Sequence, residues 1–241
     1  MQTHIIHVHP EVTSYNGALT RTAESALRSA GGAVTVSDLY QSRFDPVERP
    51  EHYVNRIDPG RFAALGEQRN AWATGTLPDN VATEIDRLER ADLVILQFPL
   101  WWHGPPAMLK GWMDRVFVSG GLYTSKMRYD AGYFRGRRAL ISVTTGAPQA
   151  AFGPSSRGGD FDTMLWSLQY SMHYMGFSVL PPFISYGVQG HGYSYENANS
   201  LQDRLERNLN NWSSFLLKLD DVEPLSFASW TDWNEDGSAV A

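Results

Sequence analysis

The chain has 241 residues, 20 basic against 26 acidic, with a net charge of -6 and no block of like charge. That length suits one large domain, and the charge pattern excludes an electrostatic nucleic-acid footprint. The cysteine count is 0, which rules out disulfides, thiolate metal sites and thiol catalysis.

The opening MQTHIIHVHP lacks the basic and apolar regions of a secretory signal. The greasiest run, LVILQFPLWW, is interrupted by Gln97 and too short to cross a bilayer. A cytoplasmic protein with no membrane insertion is expected. HIIHVHP (4–10) reads as a short buried strand ending at a proline. GALTRTAESALRSA then reads as a helix closed by Gly31 and Gly32, and AVTVSDLY (33–40) as a second strand. Residues 41–78 mix proline, arginine, glycine and charge, an excursion with a helix somewhere in 60–74. NVATEIDRLERA (80–91) is amphipathic through Val81, Ile85 and Leu88, with Asp79 as its expected cap. DLVILQF (92–98) is apolar on both faces, as a central parallel strand should be. From Pro106 onward Met108, Leu109, Trp112, Met113, Val116 and Phe117 form one helical stripe.

RRALISVTTGA (137–147) reads as a fourth strand, and 148–159 as a loop. DFDTMLWSLQYSMHYMGF (160–177) reads as a largely buried helix. SVLPPFISYGV holds a fifth strand, and ANSLQDRLERNLNNWSSFLLKL (198–219) is a last helix. Repeated strand–helix alternation predicts an α/β fold, a doubly wound five-stranded parallel sheet of flavodoxin-like order 2-1-3-4-5 with helices on both faces. The expected domain covers 1–219, followed by an extension over 220–241 without a periodic pattern.

In such a sheet, ligands sit beyond the carboxyl ends of the strands, which directs attention to 9–16, 99–105 and 144–159. The first, HPEVTSYN, leads into a helix start and offers backbone amides with Thr13, Ser14 and Asn16, an arrangement suited to an anion. The same residue types also make an ordinary cap. His7 and His9 share one strand face and His4 the other, so they make a poor metal site. His9, at the strand end, is the better phosphate contact. In the second, Trp101, Trp102 and His103 offer stacking surface and uncommitted amides to a planar heteroaromatic ring; core or dimer contacts are the competing use. In the third, Thr144, Thr145 and Gly146 allow close backbone approach, as would a simple mobile loop.

The run FPLWWHGPPAMLKGWMDRVFVSGGLY, with TTG on the next strand and the histidine-to-SYN start, resembles the NAD(P)H:quinone oxidoreductase family. It is similar to the mammalian DT-diaphorase type and to bacterial modulators of drug activity and potassium-efflux ancillary reductases. The resemblance runs from about residue 3 to 190. It implies bound FAD, with FMN as the alternative, NAD(P)H as co-substrate, and two-electron ping-pong hydride transfer to quinones or similar flat electrophiles. It also implies a homodimer with its active sites at the interface. By position, His9, Ser14, Tyr15 and Asn16 would hold the flavin phosphate and ribityl chain. Pro99, Leu100, Trp101, Trp102 and His103 would line the isoalloxazine, and Thr144, Thr145, Gly146 and Ala147 would meet its pyrimidine edge. Tyr123, Tyr129 and Phe177 would form a wall reaching the partner's site.

The sequence departs from the family where the mammalian type has a tyrosine and a histidine after the fourth strand: Phe152 and Gly158 stand there. Arg157 is the expected substitute, placing positive charge near the reduced ring. The catalytic group is therefore expected to be Trp102, His103, Tyr123 and Arg157, with backbone donors at 101–103 and 145–147 aimed at the ring. No counterpart of the late arginine that clasps the adenine half can be read. Two other classes compete: a flavin-binding accessory subunit of a membrane transporter, and a flavodoxin-like electron shuttle.

Overall fold

The computed structural model describes residues 1–189 and 196–240. Its strands are β1 (Gln2–His7), β2 (Ala33–Asp38), β3 (Leu93–Pro99), β4 (Arg138–Thr144), β5 (Ser178–Val179) and β6 (Phe183–Ser185). The helices are α1 (Tyr15–Ser29), α2 (Ala64–Thr74), α3 (Asp79–Arg90), α4 (Ala107–Val116), α5 (Phe161–Tyr174) and α6 (Ala198–Leu216). All pairings are parallel, in the order β2-β1-β3-β4-β5, the flavodoxin-like order that the alternation predicts. The fifth position differs in detail. Two short strands share it, β5 on Arg138 and Ala139 and β6 on Ser142 to Thr144. Pro181 and Pro182 lie between them, and a proline has no N–H to give to a ladder.

Every residue of β3 is buried, which places it at the centre with an apolar layer on each side. On one face, Ile5, Ile95 and Leu140 pack against Leu19, Ala23 and Leu27 of α1 and Trp212 and Leu216 of α6. On the other, Ile6, Val94 and Leu96 pack against Ile85 and Leu88 of α3, Trp112 and Val116 of α4, and Leu168 and Met172 of α5. Trp212 is fully buried and its indole N–H donates to the Leu19 carbonyl at 3.0 Å, which pins α6 across α1.

Two local expectations change. The residue preceding α3 is Pro78, and Asp79 is the first helical residue with no side-chain cap; proline's fixed φ starts the helix without help. α5 buries one face only, and Trp166 on the other side is 54% exposed. The stretch after Asp220, which carries no periodic pattern, is docked on the domain. The Leu225 N–H donates to the Val179 carbonyl at 2.8 Å, the Trp230 indole to the Arg128 carbonyl at 3.0 Å, and Trp233 lies 4.6 Å from the Tyr129 ring. Leu225 and Phe227 join the core beneath α5.

Candidate functional site

The three loops meet at the carboxyl rim of β1, β3 and β4. In the first, Ser14 caps α1 by accepting from the Gly17 N–H at 3.1 Å. Gly17 is required there, because a Cβ would sit 2.4 Å from the Val12 carbonyl oxygen. Arg21 holds that same carbonyl at 3.0 Å. The Tyr15 and Asn16 N–H groups, in the first turn, make no hydrogen bond among the described residues, so donors at the positive helix end stay available to an anion. His9 is half-buried, its Nδ1 accepting from the Glu11 N–H at 3.0 Å. Bonds from the Thr13 N–H and hydroxyl hold the Glu11 carboxyl below its ordinary range.

Two expected contacts are narrowed. The Tyr15 hydroxyl donates to the Leu205 carbonyl and accepts from Asn208, both at 2.9 Å, so its side chain belongs to α6. Asn16 is buried, and its amide accepts from Gln97 at 2.8 Å and donates to Thr144 at 2.9 Å. For both residues the uncommitted group facing a ligand is the backbone N–H.

The second loop is a tight two-residue turn. Trp101 and Gly104 exchange N–H to carbonyl bonds at 3.0 and 3.1 Å, leaving Trp102 and His103 at its tip with φ of 50° and 61°. Turns of this kind normally take glycine or asparagine, and each non-glycine residue in that region costs about 1 kcal/mol or more. Of the three amides expected to be free, that of Trp101 is used by the turn; those of Trp102 and His103 have no partner in the described chain. Trp102 is 97% exposed and Trp101 43%. Pro99 is buried at the end of β3, and the Leu100 N–H donates to the Thr144 carbonyl at 2.8 Å, tying this loop to the third.

In the third loop, the Thr145 N–H is taken by the Ser185 carbonyl at 3.0 Å, and Ala147 N–H meets the Thr145 hydroxyl at 3.4 Å. Only the Gly146 N–H of the expected 145–147 set is left without a partner among the described residues. Phe152 turns inward onto Phe161, at 4.6 Å between centroids. A Cβ on Gly158 would meet the Ala151 carbonyl oxygen at 2.8 Å, so a histidine does not fit this turn as it stands. Arg157 is exposed, and among the described residues no hydrogen bond or ion pair holds it.

Of the proposed wall, Phe177 is not on a surface: it is 2% exposed and stacks on Phe134 at 4.6 Å. Tyr123 is half-buried, edge-on to Tyr174 at 5.7 Å. Tyr129 has a φ of 54° and is ringed by Tyr170, His173, Tyr174, Trp230 and Trp233. Tyr123 packs on Tyr174, the last residue of α5, about 20 Å along that helix from its start after the Arg157 loop, so one chain does not gather Tyr123 with Arg157.

His4 and His7 of β1 are structural. His7 pairs with the Thr20 hydroxyl at 2.9 Å, and burial lowers its pKa. His4 contacts Thr35 at 2.9 Å and Ser37 at 3.2 Å. Sequence reasoning passed over Gln97, although a lone amide in a strand buried on both faces was its signal. It also passed over Arg204 and Asn208 on α6. Arg204 donates to the Tyr186 and Gly187 carbonyls at 2.8 Å and pairs with Glu196. Beside it, Gln149, Tyr186, Arg207 and Asn208 line a cavity of about 550 Å³.

Comparison with known proteins agrees with the fold. A family model described as flavodoxin-like fold matches residues 1–212. NAD(P)H dehydrogenase [quinone] 1 of Cavia porcellus is 38% identical over 226 residues, 93% of this chain and 79% of the relative. The chain belongs to the flavodoxin-like NAD(P)H:quinone oxidoreductase family. A second family member, ribosyldihydronicotinamide dehydrogenase [quinone] of Mus musculus, is 39% identical over 186 residues, 76% of this chain and 80% of its own. A Klebsiella pneumoniae protein assigned as a quinone reductase superposes with a TM-score of 0.88 at 31% identity, covering 99% of this chain and 93% of its own. Because 226 residues align with the Cavia porcellus family member, the likeness extends past residue 190, where the sequence motifs end.

Proposed function

We propose that this chain is a flavin-dependent NAD(P)H:quinone oxidoreductase acting by two-electron ping-pong transfer, and that the flavin lies across the rim formed by the three loops. The observation that carries this reading is the strained turn at Trp102 and His103. A fold tolerates two left-handed non-glycine residues and an indole in water where that geometry serves a ligand. A bound flavin would supply the chemistry, hydride transfer between NAD(P)H and a quinone. The protein's part is placement. The Tyr15 and Asn16 N–H groups and the Ser14 cap receive the phosphate, with His9 beside them. Pro99, Leu100 and Trp101 to His103 receive one side of the ring, and Thr144 to Ala147 its polar edge. The free N–H groups of Trp102, His103 and Gly146 are fixed donors, and Arg157 adds positive charge.

FAD is the preferred flavin. The cavity bounded by Arg207, Asn208 and Tyr186 adjoins the Tyr15–Asn208 bond and offers donors to an adenylate half; FMN would leave it unused. A homodimer completes the site. Tyr123 and Tyr129 lie a helix length from the rim of their own chain, so they serve a site only when a second copy brings them there. Placement in the cytoplasm follows from the supply of NAD(P)H, and no described helix is long and apolar enough to cross a membrane.

The test is to purify the chain, record its visible spectrum, identify the released flavin by mass, and mix it anaerobically with NADH and NADPH before adding a quinone. The expected result is a yellow dimer with FAD, bleached by reduced nicotinamide and recoloured by quinone. A preparation that stays colourless after incubation with FAD and FMN sinks the reading.

A further inference from the structure

Beneath the first turn of α1 runs a short buried relay. The Gln97 Nε2 donates to the Asn16 Oδ1 at 2.8 Å, and the Asn16 Nδ2 donates to the Thr144 Oγ1 at 2.9 Å. These residues are 0%, 3% and 4% exposed, and each comes from a different one of the segments that meet at the rim. A hydroxyl has one proton. Since Thr144 accepts from Asn16, its own proton is left to donate elsewhere. Were both amides reversed, Thr144 would donate inward and present only lone pairs.

We propose that Gln97 is a positioning residue of the cofactor cradle: it sets the direction of this relay, so that Thr144 offers a proton to an acceptor of the ligand on the rim. The inference rests on the flavin reading and names what fixes the donor pattern of that site. Two further facts support it. The Gln97 Oε1 and the Oγ of Ser142, its register partner on β4, are buried without a hydrogen-bond partner among the described residues, and such atoms carry a desolvation penalty that an apolar residue would not. The arrangement is therefore not explained by stability. It also lies at the carboxyl end of the central strand, where ligands of this fold bind.

The experiment uses the full chain freed of flavin and titrated with FMN and with FAD from about pH 5 to about pH 8. Gln97→Met should weaken both about tenfold, the loss of one oriented hydrogen bond. Gln97→Glu is more telling. When protonated, the introduced carboxyl donates to Asn16 as the glutamine does; when ionised, it can only accept, which turns Asn16 round and draws the Thr144 proton inward. Affinity should then fall about tenfold as that carboxyl ionises, a step missing from the wild type and from Gln97→Met. His7, the register partner of Gln97 on β1, stands beside the introduced carboxyl, and a Thr144→Val background keeps that neighbour while removing the relay.

In a Thr144→Val background the step should disappear. A step that persists there shows the buried charge acting directly on the flavin and overturns the relay. Should the carboxylate variant not fold, Thr144→Val, Gln97→Met and their combination decide: one relay predicts equal losses with a double variant no worse than either single, and additive losses overturn it. A wild type that binds neither FMN nor FAD fails the flavin reading itself. Variants that bind like the wild type fail the relay alone.

Discussion

Beneath α3 and α4, Glu84 is surrounded by donors: Ser37 at 2.6 Å, Arg87 at 2.7 Å, the Trp112 indole at 2.9 Å, with His4 at 3.8 Å. Beneath α1, by contrast, Gln97 feeds Asn16 and Thr144 while its own carbonyl and the neighbouring Ser142 hydroxyl go unpartnered. Both clusters interrupt an apolar layer of the same sheet. The first is charged, has both Glu84 carboxylate oxygens partnered, and links β1, β2, α3 and α4. The second is neutral and incompletely satisfied, and it links the loops of the rim. Complete satisfaction marks polar burial that holds a fold together. An unfinished network at the strand ends marks polar burial that a ligand completes.

That contrast breaks first at Glu84. Glu84→Leu removes the acceptor shared by Ser37, Arg87 and Trp112 and should cost about 3 kcal/mol of unfolding free energy, measured by denaturant titration. Flavin affinity of the folded fraction should not move. If affinity fell as far as stability, the division between the two clusters would be wrong.

Acid should act through the same cluster. Burial alone would raise the Glu84 pKa, but the neighbouring His4 imidazole and hydrogen bonds from Ser37 and Trp112 outweigh it and hold the value below the ordinary 4.5. Its stabilisation is present in full above that value and is lost as pH falls through the lower folded value. His7, whose pKa burial depresses from 6.5, adds a smaller loss that begins as pH falls below 6.5. The acid limb should be shallower in Glu84→Gln, and equal limbs in the two proteins would assign it to other carboxylates.

How much of this was legible in the sequence depends on where each contact comes from. The sheet order followed from strand–helix alternation, because β3 is apolar on both faces and α1, α3 and α4 carry clear stripes. The rim followed from the fold. Its details did not. Trp102 and His103 are neither glycine nor asparagine, so no local rule announces their left-handed turn. Tyr15 is claimed by Asn208 and Leu205, far along the chain, a contact that no nearby residue signals. Phe177 adjoins a helix whose other face is exposed, and only packing against Phe134 shows it to be core. Gln97 was visible as a polar residue in a greasy run, but its partners lie on two other segments.

On the rim side, Trp102→Gly sharpens the comparison. The indole is almost wholly in water, so its removal forfeits little packing, while glycine accepts the positive φ without strain. Stability should rise by about 1 kcal/mol as quinone turnover falls. A loss of stability would mean that the turn is not strained.

The smallest effect is expected at Arg157. It is the only charged residue between Thr145 and Gly159, it stands in a loop where Phe152 and Gly158 offer neither a phenol hydroxyl nor an imidazole, and no ion pair anchors it among the described residues. Arg157→Ala should therefore leave stability within about 0.5 kcal/mol. If its charge helps the rim to receive negative charge, reduction by NAD(P)H should slow about fivefold, the worth of about 1 kcal/mol from one partly screened cation. Added salt should narrow the gap between the two proteins, since an exposed charge acts through solvent. Arg157→Lys should restore most of the rate, because charge rather than a forked hydrogen bond is what the loop supplies. Unchanged rates in both half-reactions would make Arg157 an ordinary solvated residue and leave the backbone donors of Trp102, His103 and Gly146 as the electrostatic provision of the site.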